Sequence, residues 1–227
     1  MANSALLLSP RKLWKPASEL QQIREESRFS PLALPQLHSL LPNGFARGSI
    51  VELYGSRSAG RTSLALYILA QATKRGEICA IVDTHDNFHP ASAHAAGVRL
   101  ERLLWVRCRG NVEHAIRAAD LLLHAGGFGV VLLDLCETSE RALHRIPLSY
   151  WYRFRRAVEN TPSILLLCSE ASQARACSLN RIEVKRKAFR WTGMAPFLLL
   201  RGLKISALLR KPAGLAARAF SIRTLAG

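Results

Sequence analysis

Residues 48–76, GSIVELYGSRSAGRTSLALYILAQATKRG, constrain the fold more than any other stretch of this chain. An apolar, β-type run from Ile50 to Tyr54 leads into a glycine-rich loop at 55–60. The loop opens onto Thr62 and an apolar-periodic helix that closes on Lys74, Arg75 and Gly76. Strand, loop and helix in that order form the setting of a phosphate-binding loop, in which backbone N–H groups cradle phosphates, a lysine reaches them and a hydroxyl holds magnesium. Gly55, Gly60 and Thr62 fit the spacing of that pattern, but Arg61 stands where it asks for lysine.

Beyond this unit the same alternation continues. ICAIVD (78–83) and GVVLLDL (129–135) are apolar, β-branched runs suited to strands buried on both faces, and LLWV (103–106) and SILLLCSE (163–170) add two more. Between them, residues 91–96 form a short helix closed by Gly97. Asn111 caps a longer helix with Val112, Ala115, Ile116, Ala119, Leu122 and Leu123 on one face. Residues 147–159 form an aromatic and arginine-rich helix in which Trp151, Phe154 and Val158 fall on the inward face. From 181 onward the pattern changes to alternating strands, at 181–191, 203–211 and 217–224. The chain therefore reads as one α/β domain with a parallel sheet extended by antiparallel strands. Residues 1–43 precede it as an arm: a capped helix from Ser18 to about Arg28, then connections broken by Pro31, Pro35 and Pro42.

Composition narrows the classes of function. Five cysteines without CxxC spacing read as reduced, buried small hydrophobes. The N-terminal MANSALLLSPRK has too short an apolar run for a signal peptide, and no later stretch reaches the roughly 18 apolar residues of a membrane span, so a cytoplasmic protein with no membrane partner is expected. The net charge of +16 is uneven: residues 1–140 carry 15 Lys/Arg against 13 Asp/Glu, and residues 141–227 carry 17 against 3. Such a basic half points to a polyanion or an acidic protein as partner. The candidate contact residues are Arg153, Arg155 and Arg156 on the aromatic helix and Arg181, Lys185, Lys187 and Arg190 on the first antiparallel strand. His85, His89 and His94 lie close in sequence but lack the company a metal site wants, and read as a polar loop.

Asp134, at the end of its own apolar strand, joins the glycine-rich loop as the second half of a nucleoside-triphosphatase scaffold. In this context NGFARGSIVELYGSRSAGRTSLAL, ICAIVD, HPASAHAAGV, VVLLDL and the closing LKISALLRKPAGLAARAFSI, taken in order, resemble the RecA recombinase core over about residues 44–222. The short length, the proline-broken arm and the altered loop are similar to the ImuA group of RecA-fold proteins associated with mutagenic translesion DNA synthesis. The resemblance implies an α/β, RecA-like P-loop core with C-terminal antiparallel strands at 44–227. It also implies a nucleotide site at Gly55, Gly60, Arg61, Thr62, Ser63 and Asp134, of which Thr62 and Asp134 would keep the magnesium positions.

Departures from the recombinase pattern shape the functional expectation. Arginine keeps the charge at position 61 but is too large and planar to act as a compact point charge in a tight cradle. The resemblance places His85 where the family's catalytic glutamate would stand, and Ser92 near its adenine-stacking aromatic. The expectation is a non-hydrolysing accessory protein in the DNA damage (SOS) response, with no resident cofactor beyond residual ATP and magnesium binding and no catalytic residue. Its partners would be a RecA filament, an ImuB-like polymerase-family protein, or DNA. The alternatives are a divergent DNA-dependent ATPase using a repositioned Asp86, and an inhibitor of cell division resembling SulA.

Overall fold

The computed structural model describes residues 28–31, 41–194, 196–211 and 218–223. The expected helix at 18–28 lies almost wholly outside them. Within the described residues the first feature is a small antiparallel pair that the sequence did not announce, β1 (Phe29–Ser30) with β2 (Phe45–Ala46). The core then runs β3 (Ser49–Tyr54), α1 (Arg61–Lys74), β4 (Cys79–Asp83), α2 (Pro90–Ala95) and β5 (Leu103–Arg107). It continues with α3 (Val112–Ala125), β6 (Val130–Asp134), α4 (Glu140–His144), α5 (Leu148–Val158) and β7 (Ile164–Ser169), and closes with β8 (Asn180–Thr192), β9 (Leu199–Lys211) and β10 (Arg218–Arg223). The strands expected from apolar runs are all present within a few residues. Helix α4 was not expected: it has five residues, too few for a period to be read, and starts from Ser139, whose hydroxyl accepts the Ala142 N–H at 3.3 Å.

One eight-stranded sheet carries the order β10-β9-β8-β3-β7-β6-β4-β5. From β8 to β5 every pairing is parallel, while β8 with β9 and β9 with β10 are antiparallel. Strand alternation sends Val51, Leu53, Ile182, Val184 and Ile205 to the face covered by α1. Ile50, Val131, Leu133, Leu165 and Leu167 go to the face covered by α3 and α5. Leu64, Ile68 and Leu69 of α1 are at most 3% exposed, and each such side chain contributes roughly 1.5–3 kcal/mol when withdrawn from water. As expected, Trp151, Phe154 and Val158 are the buried residues of α5, Asn111 caps α3 by accepting the His114 N–H at 3.0 Å, and all five cysteines are free and buried.

One buried carboxylate ties the sheet to the loop beyond β7. Glu52, fully buried in the middle of β3, accepts the Ser172 hydroxyl at 2.8 Å, the Ala174 N–H at 3.1 Å and the Gln173 N–H. Those three donors hold the turn that follows Glu170. At the opposite end of the strands, Glu77 accepts from Arg47 at 2.8 Å and from Arg75 at 2.8 Å, joining the start of β3 to the end of α1. Burial opposes ionisation of Glu77, yet the two guanidinium hydrogen bonds prevail and hold its carboxyl below the ordinary value.

Candidate functional site

The parallel strands present their C-terminal ends together, where crevices form in sheets of this kind. The glycine-rich loop leaves β3 there and is clamped from both sides. A Cβ at Gly55 would collide with the Val184 carbonyl oxygen of β8. Gly60 has φ +96, and a Cβ there would lie 2.8 Å from Ile205 Cγ2 of β9. Glycine is therefore required at both ends of the loop by contact with the antiparallel extension.

Arg61 opens α1, but its side chain is only 6% exposed. Its Nη2 lies 3.9 Å from Glu170 Oε1 at the end of β7, and its Nη1 is buried without a hydrogen-bond partner. Arg57 bridges to Glu137 at 2.9 Å, which links the loop to the segment after β6. The Arg57 hydrogen bond and charge draw the Glu137 carboxyl below its ordinary value. Between these groups is a cavity of about 550 Å³ whose lining includes Arg57, Arg61, Thr62, Phe88, Ser92 and Asp134.

The acidic groups at the strand ends are arranged for structure. Asp134 accepts the Cys136 N–H at 2.9 Å, and burial pushes its carboxyl up from the ordinary value; the neighbouring Asp83 adds to the rise, while Cys136 and Arg61 oppose it. Asp83 accepts from Asn87 N at 3.0 Å, Phe88 N at 2.9 Å and Trp105 Nε1 at 3.1 Å, so its oxygens pin the loop after β4. His85 is within 3.0 Å of the Thr138 hydroxyl, and His89 accepts the Ser92 N–H at 3.1 Å as the cap of α2. His85 and His89 thus have structural partners, His94 is exposed on α2, and no cluster of metal-ligating side chains occurs among the described residues. Asp86, at φ +60, pairs with Arg107 at 2.8 Å on β5 and does not line the cavity.

A nucleotide and its magnesium ion fit this site only in part. The glycine cradle, the unpartnered Arg61 Nη1 and the free N–H groups of the first turn of α1 are suited to an anion. A divalent cation wants an ionised, accessible carboxylate free of other partners, whereas Asp134 is half-buried, accepts the Cys136 N–H and has its carboxyl raised from the ordinary value by burial. None of Asp83, Asp86 and His85 is placed as a base for water in the cavity.

Two site residues escaped the sequence reading. Phe88 supplies an aromatic ring to the cavity, held edge-on to Trp105 at 5.2 Å, although Ser92, near which the resemblance places the family's aromatic, has none. Glu170 faces Arg61 from the end of an apolar run, the same signal that picked out Asp134.

The basic candidates do not converge on one place. Arg153 is spent on Asp120 in a bidentate pair at 2.7 and 2.6 Å, and with Arg156 it lines a cleft of about 1020 Å³ between α3 and α5. Arg155 lines a separate small cleft with Glu159 and Lys211. Arg181, half-buried with its Nε unpartnered, sits at the foot of β8; Lys185 pairs with Glu183 at 2.9 Å; Lys187 and Arg190 lie further out on the same strand. No helix among the described residues is long and apolar enough to cross a membrane.

Comparison with known proteins locates the strongest similarity in the first half of the chain. Residues 31–140 match the RecA N-terminal domain. Protein RecA of Rhodospirillum rubrum is 43% identical over 91 residues, which cover 40% of this chain and 25% of that protein. Protein RecA of Methylococcus capsulatus is 43% identical over 91 residues, 40% of this chain and 26% of that protein. Protein RecA of Deinococcus radiodurans is also 43% identical over 91 residues, with shares of 40% and 25%. The chain thus spans about a quarter of the length of the curated relatives it matches. The mostly parallel sheet, the glycine-rich loop at the end of β3 and this match together make it a protein of RecA-like fold, homologous in part to RecA.

Proposed function

We propose that this chain is a non-hydrolysing RecA-like accessory protein of the DNA damage response, of the ImuA type, serving mutagenic translesion DNA synthesis. It acts by binding. Its partners are a RecA filament or an ImuB-like polymerase-family protein, with DNA contacts from the basic half. The observation that carries the reading is the state of the residue that follows the glycine-rich loop: Arg61 is buried and turned toward Glu170, its Nη2 3.9 Å from that carboxylate. Asp83, Asp86 and His85 stay out of the cavity lining, and Glu137, the carboxylate that lines it beside Asp134, is held by Arg57 at 2.9 Å; both support the same reading, because phosphoryl transfer to water needs a free group that orients and deprotonates the nucleophile. A divergent ATPase would need Asp86, which is held by Arg107 on the edge strand.

The test is a nucleotide titration of the purified chain with and without magnesium and single-stranded DNA. The expected result is no turnover and at most weak binding. Micromolar ATP binding with magnesium-dependent hydrolysis that disappears in Asp134→Ala would overturn the reading. A complete lack of DNA binding, together with capture of a cell-division protein, would transfer it to the SulA-like alternative.

A further inference from the structure

The feature that the proposed function leaves unused is the far end of the β8–β9 hairpin. Strand β8 pairs with β3 only from Asn180 to Glu183 and then runs on, with residues 185–192 all exposed. Half of the exposed large hydrophobic residues among the described residues lie on this projection: Phe189, Trp191, Met194, Phe197, Leu198 and Leu199. Met194 and Phe197, each 84% exposed, occupy the turn, where Phe197 N donates to Met194 O at 2.7 Å. The apolar surface continues down one face as the Phe189–Trp191 pair, with ring centroids 5.8 Å apart, and ends where the Arg186 guanidinium lies 4.6 Å from the Phe189 ring centre. As residues two apart on β8, Phe189 and Trp191 fall on the same face, and the register shifts at Arg186/Ala188 and Arg190/Trp191 leave that alternation intact between them.

Charge surrounds this apolar end with one sign. Between Val184 and Lys204 the sequence holds Lys185, Arg186, Lys187, Arg190, Arg201 and Lys204, and no Asp or Glu. A pure solubility device would put lysines along the edge without large apolar side chains at the tip. Three of the six, Met194, Leu198 and Leu199, are aliphatic and give bases nothing to stack on, and one face of the Phe189 ring is already covered by Arg186, so the rings do not form a continuous stacking platform and a protein is favoured over nucleic acid as the occupant. The apolar surface also extends sideways for about 10 Å below the turn, three residues at about 3.3 Å each, so a flat bilayer met end-on would leave the Phe189–Trp191 pair uncovered.

We infer that the β8–β9 tip is a docking element for a protein partner that presents an apolar groove bordered by carboxylates. The turn residues and the Phe189–Trp191 pair enter the groove, and Lys187, Arg190, Arg201 and Lys204 meet the acidic border. This rests on the reading of the chain as an accessory protein and names the chemistry of its partner.

The experiment uses the full chain with a photo-crosslinking phenylalanine analogue at Phe197, and at Leu121 on α3, 70% exposed, as the control. Both are expressed in the source organism under DNA damage. The expected result is an adduct to one protein at Phe197 that is absent at Leu121, with crosslinked peptides from an apolar groove containing Asp or Glu. The purified pair should then lose at least tenfold in affinity with Phe197→Asp and with Arg190→Glu/Arg201→Glu, and reversal of the partner's border charges should restore binding to the latter. Both variants alter exposed positions and should keep the wild-type melting temperature. Adducts at Phe197 to lipid or nucleic acid only, no adduct above the Leu121 control, or an affinity unchanged in both variants would overturn the inference. Recovery of RecA or a polymerase through Leu121 with nothing at Phe197 would remove the docking element and leave the accessory reading standing. A groove partner at Phe197 that has no part in DNA transactions would do the reverse.

Discussion

Replacing Glu52 with alanine tests whether the buried carboxylate of β3 holds the loop that faces Arg61. The substitution leaves three donors without their acceptor. The Ser172 hydroxyl can rotate to water, and the half-buried Gln173 N–H can recruit a solvent partner, but the Ala174 N–H is buried. An orphaned buried donor costs about 1–3 kcal/mol, so the Ala174 N–H and a partial loss at Gln173 together give about 3 kcal/mol. For a domain whose whole stability is about 5–15 kcal/mol this is a large fraction. With a urea slope of about 3 kcal/mol per M, the unfolding midpoint should fall by about 1 M with an unchanged slope. Glu52→Gln keeps one acceptor oxygen but turns an NH2 group toward the remaining donors, and should cost about half as much. Urea denaturation followed by tryptophan fluorescence measures both. Limited proteolysis should in addition show new cleavage at 170–178 in Glu52→Ala, because that segment loses its anchor before the sheet unfolds. A midpoint shift below about 0.3 M for Glu52→Ala, or no new cleavage, would refute the reasoning.

Three further outcomes are expected. Arg61→Lys should bind a fluorescent ATP analogue about tenfold more tightly than the parent, about 1.4 kcal/mol, and still show no turnover; equal or weaker binding would mean that the arginine is not what closes the cradle. Glu77, with its carboxyl held below the ordinary value in the folded state, contributes stability that is present above its unfolded pKa and lost as pH falls through the folded one, so the difference in melting temperature between the wild type and Glu77→Gln should shrink on acidification below about pH 4. Asp134 has the opposite sign: its raised carboxyl favours the folded state at low pH and loses that advantage as pH rises through the folded value, so Asp134→Asn should gain stability relative to wild type at neutral pH and not in acid, read from melting curves across that range.

The parallel core was legible because each of its strands is a continuous apolar run bounded by turn residues, and each long helix has a cap or a periodic face. Asn111 and the Trp151, Phe154, Val158 spacing are both local signals, and both held. What could not be read depends on residues distant in sequence. Glu52 looks like a stray charge in an apolar strand, since its donors come from a loop 120 to 122 residues later. The hairpin arm was read as 181–191 and 203–211 against the observed 180–192 and 199–211, and the part missed is mainly residues 199–202, Leu-Leu-Arg-Gly, which do not alternate apolar with polar. At the candidate site, the substitution Arg61 was evident at once, but its partner Glu170 and the Phe88 ring needed three dimensions. Ser92, near which the resemblance places the family's aromatic, suggested that the cavity had none, and Phe88, four residues earlier, supplies one.

The strand order has a consequence for how this chain is made. The segment that matches the RecA N-terminal domain ends at residue 140, yet β3, which carries the glycine-rich loop, has its strand neighbours among the described residues in β7 and β8. A fragment stopping at 140 would leave β3 without either neighbour and β6 without β7. The recognisable half is therefore not a cooperative unit, and the loop waits for some forty further residues before it is seated, a matter of seconds at about 5–20 residues per second of synthesis. Parallel ladders are made by backbone groups, so β7 and β8 can hold β3 in register whatever side chains they carry on the two faces. The familiar half of the chain owes its shape to the unfamiliar one.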